Sequence, residues 1–398
     1  MSARAHRVVI AGGGFAALEA MIGLRRLADS RVRLTIVSPQ LEMSYPPLSV
    51  VEPFGVGEAP RFDLAQIARD HDATLHVDAA AGVDTQDRVL KTRGDGEIAY
   101  DSLIVTTGAE PRDAVPGALT FRGSADRPAF ELLLAEIDSG TVRRVVFAVP
   151  AGIAWPLPLY ELALMTAARA EARDARTQFM VVTSEAAPLG IFGRQASDAV
   201  AGILRERGIE LHTSTLPVAF EHGSLSLTPS GSLEADRVVA LPLLRGRAPA
   251  GLPVDQFGFL PTDEHARVRG CEHVYAAGDA TAFPVKQGGI ATQQADAAVR
   301  MIAAEAGAEV EPEPFRPVLR GLLLTGDGAR FMRSEIAGGQ GDSSDISTRM
   351  LWWPETKVAG QYLSHYLSRS LAPVQPAEPL PADAIPIDVD LTQAQVAT

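Results

Sequence analysis

Short apolar runs rich in valine and isoleucine recur along this chain between glycine and proline turns, and alanine- and leucine-rich stretches with helical spacing lie between them. That alternation predicts strands buried on both faces and joined through helices, hence an α/β protein with parallel sheets. The clearest case comes first. Arg7-Val8-Val9-Ile10-Ala11 predicts a strand, Gly12-Gly13-Gly14 a turn, and Phe15-Ala16-Ala17-Leu18-Glu19-Ala20 the start of a helix ending near Leu27. Val32-Arg33-Leu34-Thr35-Ile36-Val37-Ser38 follows as a second strand, and Tyr100-Asp101-Ser102-Leu103-Ile104-Val105-Thr106-Thr107-Gly108-Ala109-Glu110-Pro111-Arg112 reads as another buried strand that ends in small residues and then a proline. A second series starts at Arg144-Val145-Val146-Phe147-Ala148-Val149, with a helix from Leu159 to about Ala172 and a strand at Gln178-Phe179-Met180-Val181-Val182-Thr183. One more strand candidate lies in His273-Val274-Tyr275-Ala276-Ala277-Gly278-Asp279-Ala280-Thr281, after which Gly288 and Gly289 lead into a helix.

Beyond Phe315 the pattern changes. Val318 to Gly326 is a strand candidate with a glycine turn, Gly338 to Ser344 an exposed loop, and about Glu355 to Leu371 an amphipathic helix. In that helix Val358, Tyr362, Leu363, Tyr366 and Leu367 share one face, with Lys357, Gln361, Ser364 and Arg369 mostly opposite. An apolar stripe of this kind usually packs on the protein's own core; a lid, a homodimer interface or a peripheral membrane surface are the competing readings. Residues 372–398, rich in proline and acids, are expected to be a flexible tail.

The opening turn carries the first chemistry. A strand that ends in G-x-G-x-x-A and feeds a helix brings backbone N–H groups and a helix N-terminus up to a pyrophosphate. Gly12 would make the tight turn, Gly14 would let phosphate approach, Phe15 and Ala16 would start the helix, and Ala17 would hold it against the strand. The alternative is a tight turn with no ligand. Ser38, followed by Pro39, stands where an acid usually meets a ribose, and a serine hydroxyl binds more weakly than a carboxylate. Pro46 and Pro47 predict a stiff, extended loop, which suits either the edge of a flat ring or an ordinary turn. Asp279, after Gly278, can accept from sugar or ribityl hydroxyls; Gln287, Gly288 and Gly289 would present a helix N-terminus.

Three pieces in fixed order, the glycine turn, Thr106-Thr107-Gly108-Ala109-Glu110-Pro111, and Ala277-Gly278-Asp279, resemble FAD-dependent oxidoreductases of the pyridine-nucleotide-disulfide superfamily. Within it the chain is similar to the branch of sulfide:quinone oxidoreductases, flavocytochrome c sulfide dehydrogenases and type II NADH dehydrogenases, over about residues 5 to 370. The resemblance implies two Rossmann-like dinucleotide-binding domains of the three-layer ββα type plus a small C-terminal α+β domain. Residues 1–112 and 263–312 would form the FAD domain, 113–262 an NAD-like domain, and 313–371 an interface or lid. It implies FAD contacts at Gly12, Gly14, Phe15, Ala16, Ala17, Ser38, Pro39, Pro47, Thr107, Gly108, Gly278, Asp279, Gln287, Gly288 and Gly289. Lys286 would stabilise negative charge on reduced flavin or on substrate; an exposed structural lysine is the other reading.

Two departures narrow the function. After Val149 the chain reads Pro150-Ala151-Gly152-Ile153-Ala154-Trp155-Pro156-Leu157-Pro158, where a nicotinamide domain needs a second glycine fingerprint. Each proline removes an N–H that a phosphate would use, so NAD(P)H is disfavoured. The branch's sulfide chemistry uses two cysteines, and this chain has one, Cys271. The expected activity is therefore an FAD-dependent oxidoreductase that passes electrons from a small donor to a quinone-like acceptor without a cysteine pair. An NAD(P)H-dependent flavin reductase and a non-catalytic FAD-binding scaffold or sensor are the alternatives.

Composition adds limits. The formal charge of −13, with the acids dispersed, disfavours nucleic acid. The pairs His71 and His76, and His265 and His273, lack metal-ligand spacing, so no metal is expected. No apolar run reaches the roughly 18 residues of a membrane span, and the chain enters its first strand without an apolar leader, so a cytoplasmic protein is expected, with peripheral membrane contact left open.

Overall fold

The computed structural model describes residues 4–335 and 344–371. Its first sheet is wholly parallel, in the order Val274–Ala276, Ser102–Val105, His6–Ala11, Val32–Ser38, Ala73–Val77. The opening strand sits at its centre, paired Val8 to Leu34 on one side and Val8 to Ser102 on the other. Both faces are covered, which is why the inner stretches Val8–Ala11 and Leu103–Val105 are apolar without alternation, while the edge strand Ala73–Val77 carries polar residues. On one face the helices Phe15–Ala28 and Gly288–Glu305 pack side by side through residues such as Leu18, Ala295 and Val299. On the other lies the antiparallel meander Ala80–Asp84, Val89–Thr92, Glu97–Ala99, whose Val83 and Leu90 pack on Val9 and Val105.

The second domain repeats the plan. Its parallel sheet runs Leu119–Thr120, Arg237–Ala240, Arg144–Val149, Gln178–Thr183, Ile209–His212. The helices Arg127–Asp138, Leu157–Ala172 and Arg194–Glu206 pack on one face through Phe130, Leu164 and Val200, and the meander Leu216–Glu221, Ser224–Thr228, Ser232–Glu234 covers the other through Leu225. Two Rossmann-like α/β domains therefore share the chain, joined by an antiparallel pair between Ala109–Arg112 and Leu243–Gly246. A third sheet, Val318–Leu324, Ala329–Glu335 and Ser344–Ser347, presses Leu319, Leu323 and Met332 into the core of the second domain.

Two local expectations are corrected. Pro46 and Pro47 do not extend the chain: they open the 3₁₀ segment Pro46–Phe54, where a missing N–H costs nothing because no helical partner precedes it. The long C-terminal helix is also absent, and only Leu363–Leu367 is helical. Tertiary partners outcompete helix propensity here. Trp352 Nε1 donates to the Thr356 carbonyl at 3.0 Å, Tyr45 Oη accepts from Val358 N at 2.9 Å, and the Glu19 carboxylate accepts from Tyr362 N and Leu363 N at 2.8 and 2.7 Å. Val358, Leu363 and Leu367 are buried on the helices of the first domain, so the stripe covers the protein's own core, while Lys357, expected on the polar side, is buried as well. The expected 372–398 tail, and all of the Gly338–Ser344 loop except Ser344, lie outside the described residues.

Candidate functional site

The glycine turn is shaped by close contacts beneath it. Gly12 has φ +141° and its N–H donates to the Val37 carbonyl at 2.9 Å; a Cβ there would fall 2.3 Å from the Thr106 carbonyl oxygen. Thr106 is itself fixed, its N and Oγ1 donating to the Ala11 carbonyl at 2.8 and 3.0 Å. At Gly13 a Cβ would meet Leu64 Cδ1 and Ser38 Oγ at 2.7 Å, whereas at Gly14 it would meet nothing within 4 Å. The turn is thus tight on its inner side and open where the helix Phe15–Ala28 begins.

A cleft of about 370 Å³ opens at that point. It gathers Gly14, Phe15 and Ala16 from the turn, Pro47 from the 3₁₀ segment, Gly108 from the loop after the neighbouring strand, and Gly278, Asp279, Lys286, Gln287 and Gly288 from the far end of the domain. Of the other residues singled out in the sequence, Gly12 and Ala17 lie outside the cleft lining, and Ala17 is fully buried. Ser38 is buried off the cleft, its hydroxyl donating to the Gln40 carbonyl and accepting from Gln40 N, both at 3.2 Å. Pro39 is exposed beyond it. Gly289 lies inside the helix, where a Cβ would come within 3.0 Å of Gln287 Oε1. Thr107 is also outside the lining, and its buried hydroxyl has no hydrogen-bond partner among the described residues.

Electrostatics divide the cleft. Asp279 has no hydrogen-bond donor among the described residues, and burial raises its pKa against the pull of Lys286. Burial pushes the Lys286 ammonium down to about 8, although Asp279 and Asp255 favour its charge. Its Nζ donates to the Thr281 carbonyl and lies 3.9 Å from the centre of the Phe259 ring. Lys286 is therefore not an exposed lysine. Gln287 caps the helix Gly288–Glu305, accepting from Ile290 N at 2.9 Å, and its Nε2 donates to the Arg320 carbonyl at 3.1 Å.

The opposite wall belongs to the second domain. Ile153, Trp155, Leu157 and Pro158 line it, and the helix Leu157–Ala172 begins at an N-cap proline, Pro156, with Pro158 in its first turn. Trp155 packs edge-on against Phe192, ring centres 5.7 Å apart. Glu185, just past the strand Gln178–Thr183, accepts from Tyr160 Oη at 2.6 Å and from Thr183 Oγ1 at 2.9 Å, so its carboxylate is engaged inside the domain.

Between the walls sits a pair that the sequence reading missed. Lys357 Nζ donates to both Glu161 oxygens, at 2.6 and 2.8 Å, and to the Pro47 carbonyl at 3.0 Å, while Leu324 N donates to Glu161 Oε1 at 2.9 Å. Both side chains are buried, at 1% exposure for Glu161 and 5% for Lys357, and both line the cleft. Burial raises the Glu161 pKa and lowers that of Lys357, each against the attraction of the other, so the two compete for one proton. One signal was available: Glu161 is the lone acid in the apolar run Leu157-Pro158-Leu159-Tyr160-Glu161-Leu162-Ala163-Leu164-Met165. Cys271 is buried with the first sheet's core and is not part of the lining. Among the described residues no helix is long and apolar enough to cross a membrane, and no group of His, Cys, Asp and Glu is placed to hold a metal ion.

The family described as pyridine nucleotide-disulphide oxidoreductase matches residues 6–148 and 160–301. The break between the two stretches falls on the proline-rich segment that stands in place of a second glycine turn. An NADH dehydrogenase-like protein of Mycobacterium tuberculosis is 26% identical over 292 residues, 69% of this chain and 73% of that one. Among solved structures, the sulfide:quinone oxidoreductase of Aquifex aeolicus has a TM-score of 0.78 at 18% identity, covering 86% of this chain and 87% of that one. A ferredoxin reductase from Rhodopseudomonas palustris has a TM-score of 0.63 at 22% identity, covering 84% and 83%.

Proposed function

The chain belongs to the pyridine nucleotide-disulphide oxidoreductase family, and on that footing we propose an FAD-dependent oxidoreductase that takes two electrons from a small donor and passes them to a quinone-like acceptor without a cysteine pair. The observation that carries this reading is the convergence, in one cleft, of the open glycine turn, the unpaired Asp279 carboxylate and the capped helix start at Gln287 and Gly288. FAD fits this donor set. Free N–H groups at Gly14 to Ala16 suit a pyrophosphate, and Asp279 suits ribityl hydroxyls. FAD, when bound, supplies the two-electron redox chemistry.

The chain's own residues do the rest. Lys286 places positive charge at the cleft and, with its pKa near 8, either holds or releases a proton at neutral pH. The Glu161–Lys357 pair keeps a second proton, out of water, beside Pro47 and Leu322. An acceptor such as a quinone takes up two protons with two electrons, and both groups border the space that it would enter. Ile153, Trp155 and Leu322 give that space the apolar lining a flat acceptor requires.

Against a nicotinamide donor stand the prolines at the helix start and the engagement of Glu185, which leaves no free carboxylate at the end of that strand for a ribose. The relative described as NADH dehydrogenase-like favours the second reading, an NAD(P)H-dependent reductase. Absorbance and anaerobic stopped-flow mixing separate the readings. We expect a bound flavin band that NADH and NADPH leave unbleached at ordinary cofactor concentrations, and that after dithionite reduction is restored by a soluble benzoquinone. Rapid bleaching by NADH refutes the donor assignment, and a colourless protein that FAD does not reconstitute refutes the whole reading.

A further inference from the structure

The protein as a whole carries −13, yet the cleft is lined by Arg122, Lys286, Arg320 and Lys357 against the carboxylates of Asp279 and Glu161. Three of the four cations are held. Arg122 pairs with Asp113 and with Asp126, Lys357 with Glu161, and Lys286 lies between the Thr281 carbonyl and the Phe259 ring under the pull of Asp279. The Arg320 guanidinium has neither a hydrogen bond nor an ion pair among the described residues. It is partly buried; across the strand pair stand Arg333, which opposes its charge, and Glu335, which favours it at a distance but is paired with Arg333 at 3.0 Å.

A guanidinium cannot shed its proton, so taking it out of water beside a like charge is unfavourable until an anion arrives. The surroundings fix it for that purpose. Gln287 holds its carbonyl from the first domain, and the next residue, Gly321, lies so close to the second that a Cβ would come within 2.4 Å of Phe192 Cζ and 3.0 Å of Leu157 Cδ1. Arg320 is thus set from both sides at the cleft wall, near the apolar surfaces of Trp155 and Leu322.

We propose that Arg320 recognises the anionic group of the small electron donor, a carboxylate or similar planar anion on an apolar body, through the bidentate geometry that a guanidinium fork offers. This rests on the reading of the cleft as a flavin and substrate site. The donor is then an anionic molecule, and neutral donors of the same shape are poor ligands; the acceptor is not constrained by Arg320.

Benzoate and its neutral counterpart benzamide are the probes, titrated into the FAD-loaded protein and followed by the flavin band and tryptophan fluorescence. Benzoate is expected to bind at least about tenfold more tightly than benzamide. Arg320→Met is expected to abolish that difference with FAD content unchanged, and Arg320→Lys, which keeps the charge and loses the fork, to retain part of it. Equal binding of the two probes, no benzoate binding, or an unchanged benzoate affinity in Arg320→Met overturns the proposal while leaving the flavin reading intact. Loss of FAD from Arg320→Met also overturns it, because the guanidinium then serves the cofactor. Failure of the wild-type chain to take up FAD instead removes the reading on which the proposal rests.

Discussion

Breaking the Glu161–Lys357 pair should be costly from either side, and with opposite dependence on pH. In Lys357→Met the side chain keeps its length and loses three hydrogen bonds, two to the carboxylate at 2.6 and 2.8 Å and one to the Pro47 carbonyl at 3.0 Å. Glu161 is left buried with Leu324 N as its donor. Removing one member of such a pair costs about 3–5 kcal/mol, a large part of the stability of an ordinary domain. Burial already holds the Glu161 carboxyl above its ordinary range, so without Lys357 the native protein keeps a proton that the unfolded chain has released. Stability of Lys357→Met therefore falls as pH rises above the ordinary carboxylate range. In Glu161→Gln the stranded group is Lys357, whose pKa burial lowers, so there the native protein binds fewer protons than the unfolded chain and stability rises with pH. The double variant removes both charges, keeps an acceptor for Leu324 N, and is expected within about 2 kcal/mol of wild type. Urea unfolding followed by tryptophan fluorescence at mildly acidic and mildly alkaline pH reads all three. Single-variant deficits under about 1 kcal/mol, slopes of the same sign, or a double variant equal to the sum of the singles would refute the reasoning.

The glycine turn offers a second comparison. Gly12→Ala, with φ +141° and a contact of 2.3 Å to backbone, is expected to lose about 2–4 kcal/mol in thermal or urea unfolding; Gly14→Ala, whose Cβ meets nothing, should unfold like wild type yet bind FAD more weakly in an absorbance titration. Asp296 offers a third. Burial and the neighbouring Glu19 carboxyl hold its pKa well above the ordinary range, so its folded form keeps a proton and costs stability as pH rises. Asp296→Asn should gain melting temperature over wild type between about pH 5 and 8, and a gain that shrinks with rising pH contradicts that assignment.

The domain plan was legible because the inner strands are buried on two faces and read as apolar runs at Val8–Ala11 and Val145–Val149, and because Val32–Ser38 and Gln178–Thr183 have the bounds that the pattern gives. The glycine turn was legible for a similar reason, since a φ of +141° with a carbonyl 2.3 Å from any Cβ admits little but glycine. What stayed hidden depends on partners far along the chain. Lys357 reads as the polar side of a helix until Glu161, 196 positions earlier, is brought against it. Arg320 reads as one charge in an apolar strand, and its lack of a partner emerges only when its neighbours are known. The C-terminal segment has helical periodicity but little helix, because periodicity does not register the bonds to Tyr45 and Glu19 that draw Val358 to Leu363 into another path.

Glu19 also bears on the order in which the chain becomes structured. It lies in the first helix, but its two donors, Tyr362 N and Leu363 N, come 343 and 344 residues later, and the sheet beneath it lacks an edge strand until Val274–Ala276 has been made. The sheet of the second domain draws all its strands from the unbroken stretch 119–240. During synthesis the middle of the chain can therefore pair all the strands of its sheet, its core still open where Leu319, Leu323 and Met332 will enter, while the N-terminal part, emerging first, waits with a buried-to-be carboxylate exposed. The earliest residues of this protein are among the last to become native.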